Sequence, residues 1–89
     1  MAKVEMYSTA SCPYCVRAEK LFEKKDIKYE KIRVDLEEDR LTEMLARSNG
    51  RKTVPQIFVN GHHVGGFDDL AALDRAGQLD TLLRGDPIA

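Results

Sequence analysis

The sequence has no tryptophan, only two cysteines and no long apolar run. No stretch approaches the roughly 18 consecutive apolar residues that typify a membrane-spanning helix, so we expect no membrane partner. The 14 basic and 15 acidic side chains leave a formal net charge of −1 at pH 7. No basic face large enough to neutralise several phosphates is evident, so we expect no nucleic-acid partner either.

The length and composition favour one small globular domain. The 89 residues are 43% hydrophobic and 33% charged, which is enough for a single modest core. We therefore predict one domain over residues 1–89, with a loose C-terminal tail from about residue 85. No apolar leader with a cleavage site precedes the first predicted strand, so we expect a cytoplasmic protein. In that reducing compartment a cysteine pair is more often catalytic or metal-binding than structural.

Hydrophobic periodicity predicts an α/β fold with the element order βαβ, α, ββ, α. Strands are predicted at residues 3–8, 28–34, 56–59 and 62–64, and helices at 13–24, 39–48 and from the N-cap Asp68 to about Gly77. Residues 79–83 should form a final short turn or helix. The first two strands should be parallel because a helix-length crossover joins them. Asn60-Gly61 between two apolar runs predicts a type I′ hairpin turn. The predicted architecture is a four-stranded mixed sheet flanked by helices on both faces.

Both cysteines stand in one short motif, Cys12-Pro13-Tyr14-Cys15, where the first predicted strand leads into a helix. Pro13 suits a first helical position because its φ is fixed and it has no N–H. Cys12 would then be the N-cap, where free backbone N–H groups and the helix dipole stabilise a thiolate. A CxxC at the first strand–helix junction of such a sheet is typical of a thioredoxin-like redox protein.

The Cys12 thiol is expected to be acidic. A free thiol with a pKa of about 8.5 is only about 3% ionised at pH 7. Helix-terminal placement stabilises the anion by roughly 1–2 kcal/mol, and hydrogen bonds from the N–H groups of Tyr14 and Cys15 would add to this. A lower pKa increases ionisation but reduces nucleophilicity to a similar extent, so its larger benefit is a better leaving group. We predict a turnover catalyst that forms a mixed disulfide on Cys12, which Cys15 resolves.

Two other interpretations of the cysteines are weaker. An inert buried Cys15 beside a chance surface Cys12 would make Pro13 and the strand–helix junction coincidental. A structural zinc site needs four ligands, and the sequence has no second CxxC. The only histidines, His62 and His63, are adjacent in a predicted strand, where neighbours face opposite ways. We interpret them as strand residues with solvent contact and predict no metal site.

Two further segments carry candidate binding residues. Thr53-Val54-Pro55 precedes a strand, at a place where the missing proline N–H is not needed. A cis bond before Pro55 is permitted there, although the sequence alone does not establish it. Gly65-Gly66-Phe67-Asp68 lets the backbone approach a ligand closely and leads into a helix whose N-terminal N–H groups suit a carboxylate.

Three segments, in this order, resemble the glutaredoxin family, in particular its compact bacterial dithiol members with a CPYC motif. They are Cys12-Pro13-Tyr14-Cys15, Thr53-Val54-Pro55-Gln56-Ile57-Phe58 and Gly65-Gly66-Phe67-Asp68-Asp69-Leu70. The resemblance extends from Val4 to Leu83. It implies a thioredoxin-like fold and a glutathione-dependent thiol–disulfide oxidoreductase that reduces protein–glutathione mixed disulfides and protein disulfides.

The resemblance also implies the roles of the cysteines and the partners. Cys12 would be the nucleophile that accepts glutathione, and Cys15 the resolving thiol needed mainly for protein disulfides. Glutathione would be a co-substrate, and no cofactor would be permanently bound. The other expected partners are glutathionylated or disulfide-containing proteins, and the enzyme is expected to be a monomer.

Seven residues would bind glutathione by the same resemblance: Tyr14, Thr53, Val54, Pro55, Gly66, Phe67 and Asp68. The tyrosine would line the groove, and Thr53 and Val54, held by a cis-Pro55, would pair their backbone with the cysteine of glutathione. The remaining three would hold its γ-glutamyl end at a helix N-terminus. A small, extended, negatively charged peptide suits both a strand-like edge and a helix N-terminus.

The residues before the cysteine motif depart from the family pattern. Many relatives have a lysine there that binds a glutathione carboxylate, whereas this sequence has Ser8, Thr9, Ala10 and Ser11. The candidates to replace that lysine are Arg17, Arg51 and Lys52, which are otherwise solvated surface charges. Arg51 and Lys52 are the two that adjoin the Thr53-Val54-Pro55 segment.

Two alternative functions remain open from the sequence. One is a redoxin recycled by a flavoprotein reductase, although the absence of tryptophan and the Pro-Tyr pair differ from a typical thioredoxin. The other is an iron–sulfur carrier that uses Cys12 and glutathione across a dimer. The relatives that carry clusters typically have a single-cysteine CGFS motif instead.

Overall fold

The computed structural model describes residues 3–84, which form four strands and four helices in the predicted order. The elements are β1 (Val4–Ser8), α1 (Pro13–Lys24), β2 (Glu30–Arg33), α2 (Glu38–Arg47), β3 (Gln56–Val59), β4 (His62–Gly65), α3 (Phe67–Arg75) and α4 (Gln78–Leu83). β2 is shorter than predicted, by two residues at its start and one at its end. The loose tail predicted from residue 85 lies outside the described residues.

The four strands form one mixed sheet in the order β2-β1-β3-β4. β1 is parallel to β2 and antiparallel to β3, and β3 and β4 form an antiparallel hairpin. Asn60 and Gly61 connect the hairpin with φ angles of 51° and 82°. Both values are left-handed, as a type I′ turn requires, so the predicted parallel pair and the hairpin are confirmed.

Helices cover both faces of the sheet, because consecutive strand residues point to opposite sides. Met6 belongs to a core shared with α1, α3 and α4, whereas its neighbour Tyr7 belongs to a second core against α2. The first core includes Val4, Phe22, Ile57, Leu70 and Leu79, and the second Ile32, Met44 and Phe58. Each such buried side chain contributes about 1.5–3 kcal/mol to folding. No helix within residues 3–84 is long and apolar enough to cross a membrane.

Arg47 of α2 anchors that helix to the sheet. Its guanidinium lies 4.0 Å from the Phe58 ring centroid and donates hydrogen bonds to the Glu5 carboxylate and, at 2.8 Å, to the Tyr7 hydroxyl. Glu5 is only 8% exposed. A buried carboxylate without a partner is strongly destabilising, so Arg47 makes the charge of Glu5 tolerable at this position.

The start of α3 differs from the sequence prediction. Gly66, and not Asp68, is the N-cap, and the helix begins at Phe67. The Asp69 carboxylate, three residues after the cap, accepts a hydrogen bond from the Gly66 N–H at 3.0 Å. An acidic side chain at this third position can satisfy the N-cap backbone. The helix therefore begins two residues earlier than a cap formed by the Asp68 side chain would allow.

Candidate functional site

The two cysteines lie at the N-terminus of α1, where they are joined by a disulfide with their Cα atoms 5.1 Å apart. Cys12 is the N-cap and Pro13 occupies the first helical turn, as predicted. The Cys15 N–H donates a hydrogen bond to Cys12 Sγ at 3.1 Å. Cys12 is 7% exposed and Cys15 2%. The helix terminus therefore directs an N–H at the more accessible of the two sulfurs.

Val54 brings a second segment next to the cysteines. The Val54–Pro55 peptide bond is cis, as the family resemblance implies. Cys12 Sγ lies 3.6 Å from the Val54 carbonyl oxygen. No backbone group among residues 3–84 hydrogen-bonds to the N–H or carbonyl of Val54. The backbone of this residue is thus available to pair with an extended ligand that reaches Cys12.

The N-terminus of α3 lies beside this segment. The Phe67 ring packs against Tyr14, with centroids 6.5 Å apart. Tyr14 is half exposed, at 50%, and Asp68 is also exposed. The N–H groups in the first turn of a helix have no partner within the helix, so those of Phe67 and Asp68 can bind an anion.

A cleft of about 280 Å³ brings the seven candidate glutathione-binding residues together. It is lined by Tyr14, Thr53, Val54, Pro55, Gly66, Phe67 and Asp68, with Arg51 and Asp69 completing the wall. Residues separated by about 50 positions in the sequence therefore share one surface next to Cys12. An extended peptide can contact an aromatic ring, open backbone groups and a helix N-terminus there.

The three candidate replacements for the missing lysine lie in different places. Arg51 lines the cleft, and its Nη1 is 3.9 Å from Asp69 Oδ2. Lys52 is exposed and lies outside the cleft wall. The Arg17 guanidinium lies 5.1 Å from the centroid of the Tyr14 ring, outside the cleft wall. Arg51 is the only one of the three placed to contact a ligand in the cleft.

Sequence reasoning missed the part that Asp69 plays in the cleft. Asp69 lines the wall, caps the Gly66 N–H and faces Arg51. The signal was available, because an acidic residue three positions after a helix N-cap is a known capping pattern. It was overlooked because Asp68 was taken as the cap.

Gly65 lies directly against the side chains of Asp69 and Arg51 in this wall. Its φ is 114°, and a Cβ at this position would overlap the Asp69 carboxylate and lie 3.2 Å from Arg51 Nη1. An L-residue is strained at such a φ. Glycine is therefore required here both for the backbone conformation and for the position of Asp69.

The histidines lie away from the cysteines. His62 is exposed on β4, whereas the His63 ring stacks on Phe58, with centroids 4.8 Å apart, and its Nε2 lies 2.7 Å from Gln56 Oε1. Burial, followed by the charge of Arg51, lowers the pKa of His63 below its ordinary value. Within residues 3–84, no three His, Cys, Asp or Glu side chains cluster as metal ligands would.

Known proteins of similar sequence and structure include several glutaredoxins. The family model for glutaredoxin matches residues 4–64. Glutaredoxin 3 of Escherichia coli strain K12 is 48% identical over 84 residues, which cover 94% of this chain and 100% of that protein. The solution structure of the glutaredoxin from Brucella melitensis has a TM-score of 0.84 at 44% identity, covering 99% of this chain and 96% of that one. The crystal structure of a buckwheat glutaredoxin–glutathione complex has a TM-score of 0.83 at 32% identity, covering 94% of this chain and 78% of that one.

Proposed function

Because this chain belongs to the glutaredoxin family, it is a glutathione-dependent thiol–disulfide oxidoreductase, and we propose that Cys12 is its nucleophile. The observation that carries this proposal is the 3.6 Å separation between Cys12 Sγ and the Val54 carbonyl oxygen. This short distance supports the proposal, because Val54 lines a cleft whose open backbone suits a small peptide. Cys15 lies deeper and further along the helix.

With a protein–glutathione mixed disulfide, the Cys12 thiolate attacks the glutathione sulfur. A Cys12–glutathione disulfide forms, and the protein cysteine leaves as a thiolate that takes a proton from water. The thiolate of a second glutathione then attacks the glutathione sulfur held on Cys12. Oxidised glutathione leaves, and the Cys12 thiolate is restored. The Cys15 N–H mainly supports the second step, because a hydrogen bond to the sulfur stabilises the Cys12 thiolate and so makes Cys12 a better leaving group.

With a protein disulfide, Cys15 has an additional role. Cys12 attacks one sulfur of the substrate, which releases the other as a thiolate and leaves a mixed disulfide. The Cys15 thiolate then attacks Cys12 Sγ, which releases the reduced protein and forms the Cys12–Cys15 disulfide. A disulfide between these two residues is the state seen in the structure. Two glutathione molecules reduce it and leave as oxidised glutathione.

We propose that glutathione lies extended along the cleft, with its cysteine paired to the Val54 backbone. The absence of any backbone partner for Val54 among residues 3–84 supports this pairing. Thr53 and Pro55 flank the pairing residue, and Tyr14 forms the side wall. The γ-glutamyl end carries both a carboxylate and an ammonium group. The N–H groups of the first turn of α3 would bind the carboxylate.

Charged side chains at the cleft would complete the recognition of glutathione. The exposed Asp68 carboxylate lies at the helix N-terminus proposed for the γ-glutamyl end, where it would pair with the ammonium group. The Arg51 guanidinium would supply the cation that the segment before Cys12 lacks. Gly66 and Phe67 would contribute backbone at close approach.

Several further properties belong to the same proposal. We propose a monomer of one domain, because both cysteines and the whole cleft come from a single chain. We propose a cytoplasmic enzyme without a resident cofactor, because this dithiol depends on a glutathione pool that is kept reduced. Its physiological substrates would be glutathionylated and disulfide-containing proteins.

The test is turnover of a glutathione mixed disulfide in the presence of glutathione, glutathione reductase and NADPH. Cys12→Ser is expected to abolish NADPH oxidation, because serine cannot form the mixed disulfide. Cys15→Ser is the matched control and is expected to retain much of the activity on the mixed disulfide while losing reduction of a protein disulfide. Circular dichroism verifies that both variants are folded. Substantial activity in folded Cys12→Ser would refute the proposed mechanism.

A further inference from the structure

A second groove, of about 360 Å³, lies between α1 and α3 and shares Phe67 with the glutathione cleft. Its apolar floor is formed by Leu21, Phe67 and Ala71. Four cations surround the floor: Arg17, Lys20, Lys24 and Arg75. The Arg17 guanidinium also rests on Tyr14, which lines the cleft. The groove therefore begins where the glutathione cleft ends.

The cations of this groove have no carboxylate partners among the residues that the structure describes. None of the four has a carboxylate oxygen within 4.0 Å among residues 3–84, whereas Lys25, Lys31, Arg33, Arg40, Arg47 and Arg51 all form ion pairs. Asp74, the one acidic residue among the described residues that line the groove, pairs with Lys25. Because the whole chain has a net charge of −1, this is a local concentration of uncompensated positive charge.

The acidic residues of α1 lie on another side of the helix. Glu19 pairs with Lys31 of β2 at 2.8 Å. After burial, the charges of Glu19 and Glu23 are what raise the pKa of Tyr29, which precedes the same strand. Lys20 and Lys24 are four residues apart and therefore share a face. Helix α1 thus presents its cations to the groove and its carboxylates to the sheet edge.

We propose that this groove docks an acidic segment of a protein substrate, one that also carries an apolar side chain and flanks the reacting cysteine. The inference rests on the proposed function, since it places the substrate chain beside Cys12. The apolar floor would accept a side chain such as leucine, and the surrounding cations would pair with aspartate or glutamate. Such complementarity increases the association rate and selects partners by charge.

The geometry of α1 indicates where the acidic residues of the substrate would stand. Lys20 and Lys24 follow Cys12 by eight and twelve positions, which corresponds to about 12 and 18 Å along a helix that rises 1.5 Å per residue. An extended chain covers roughly 3.3 Å per residue. The carboxylates should therefore lie about four to six residues from the substrate cysteine.

The experiment uses two glutathionylated peptides of equal length. One carries Leu with Asp and Glu four to six residues from its single cysteine, and the other carries Leu with Lys at the same positions. The wild type is expected to show a kcat/KM about tenfold higher for the acidic peptide at low salt. The preference should shrink in 1 M NaCl, where the Debye length falls to about 3 Å.

Two double variants with the same change in net charge locate the effect. Lys20→Glu/Lys24→Glu reverses charge inside the groove and is expected to abolish the preference. Lys3→Glu/Lys28→Glu reverses two exposed lysines that form no ion pair with any described residue and do not line the groove. This variant is expected to keep most of the preference for the acidic peptide. Lys20→Gln/Lys24→Gln removes the two charges without reversing them and should give an intermediate preference for the acidic peptide. Turnover of a small glutathione mixed disulfide should be unchanged in all of them, which also verifies folding.

The outcomes separate this inference from the proposed function. If the wild type turns over neither the peptides nor the small mixed disulfide, the proposed function is wrong. If the small substrate is turned over but the peptides are used equally, or if both double variants lose the preference equally, the docking site is wrong. A wild-type dimer in sedimentation that Lys20→Glu/Lys24→Glu dissociates would assign the groove to a second copy of the chain and overturn the proposal.

Discussion

The backbone N–H of Cys15 donates a hydrogen bond to Cys12 Sγ over 3.1 Å, so one cysteine of the pair stabilises the sulfur of the other. In the reduced protein, the same N–H would stabilise a Cys12 thiolate, together with the dipole of α1. Cys15 itself lies within the helix and is 2% exposed. The two thiols should therefore differ in reactivity although they are three positions apart.

Limited alkylation measures this difference. We expect less than one equivalent of iodoacetamide, added to the reduced protein at neutral pH, to modify Cys12 at least about tenfold more than Cys15. The thiolate is the reacting species, and a helix N-terminus such as the one at Cys12 favours that form. Peptide mass spectrometry gives the ratio. In Cys12→Ser, the remaining Cys15 should react slowly, and equal labelling of the two cysteines in the wild type would contradict the assignment.

Arg51 and Lys52 are neighbours, but only Arg51 lines the glutathione cleft. Arg51→Gln is expected to raise the KM for glutathione about three- to tenfold, because a half-exposed guanidinium forms a screened contact with a carboxylate. Lys52→Gln removes the same charge one position away and should leave the KM unchanged. Steady-state kinetics at fixed mixed-disulfide concentration separates them. An equal rise of the KM in both variants would mean that general surface charge attracts glutathione. An unchanged KM in both would mean that neither residue replaces the missing lysine.

Gly65 and Gly61 both have positive φ angles, of 114° and 82°, but a Cβ would meet other atoms only at Gly65. Gly65→Ala is expected to raise the KM for glutathione several-fold, because the new methyl group displaces Asp69 and Arg51 at the cleft wall. It should also destabilise the fold by about 1–3 kcal/mol. Gly61→Ala imposes backbone strain in a hairpin turn remote from the cleft wall. It should lower the free energy of unfolding without a change in KM, as urea titration and kinetics on both variants would show.

Local sequence signals predicted much of this fold because each has a local physical cause. The position of Cys12 follows from Pro13 at the start of α1, and the hairpin follows from the left-handed conformations of Asn60 and Gly61. Local signals also singled out each of the three cleft segments, but their common role as one binding site came from the family resemblance, because nothing local relates Tyr14 to Phe67. Their common wall depends on how α1 and α3 pack on the sheet.

The features that the sequence did not predict also depend on how the helices pack. Asp68 and Asp69 are both suitable for capping, and the choice between them depends on where α3 begins. The cationic groove joins Lys20 and Lys24 of α1 to Arg75 of α3, which are neighbours only after the helices pack. Charge patterning in a single helix predicts a solvated face, whereas the lack of ion pairs across two helices is visible only in three dimensions.

His63 should titrate below its ordinary pKa of 6.5, because burial against Phe58 disfavours the charged ring and Arg51 adds repulsion, which the charge of Asp69 only partly offsets. A native pKa below the unfolded one means that the unfolded chain binds more protons near that pH. The part of the folding free energy that depends on a neutral His63 is fully present above about pH 6.5 and is lost as the pH falls through the native pKa.

NMR titration of the ring protons of His63 gives the midpoint directly, and His62→Gln removes the other imidazole to secure the assignment. Unfolding free energies at about pH 7.5 and pH 5.5 should fall more in the wild type than in His63→Gln, and a midpoint at or above 6.5 would contradict the burial of this ring.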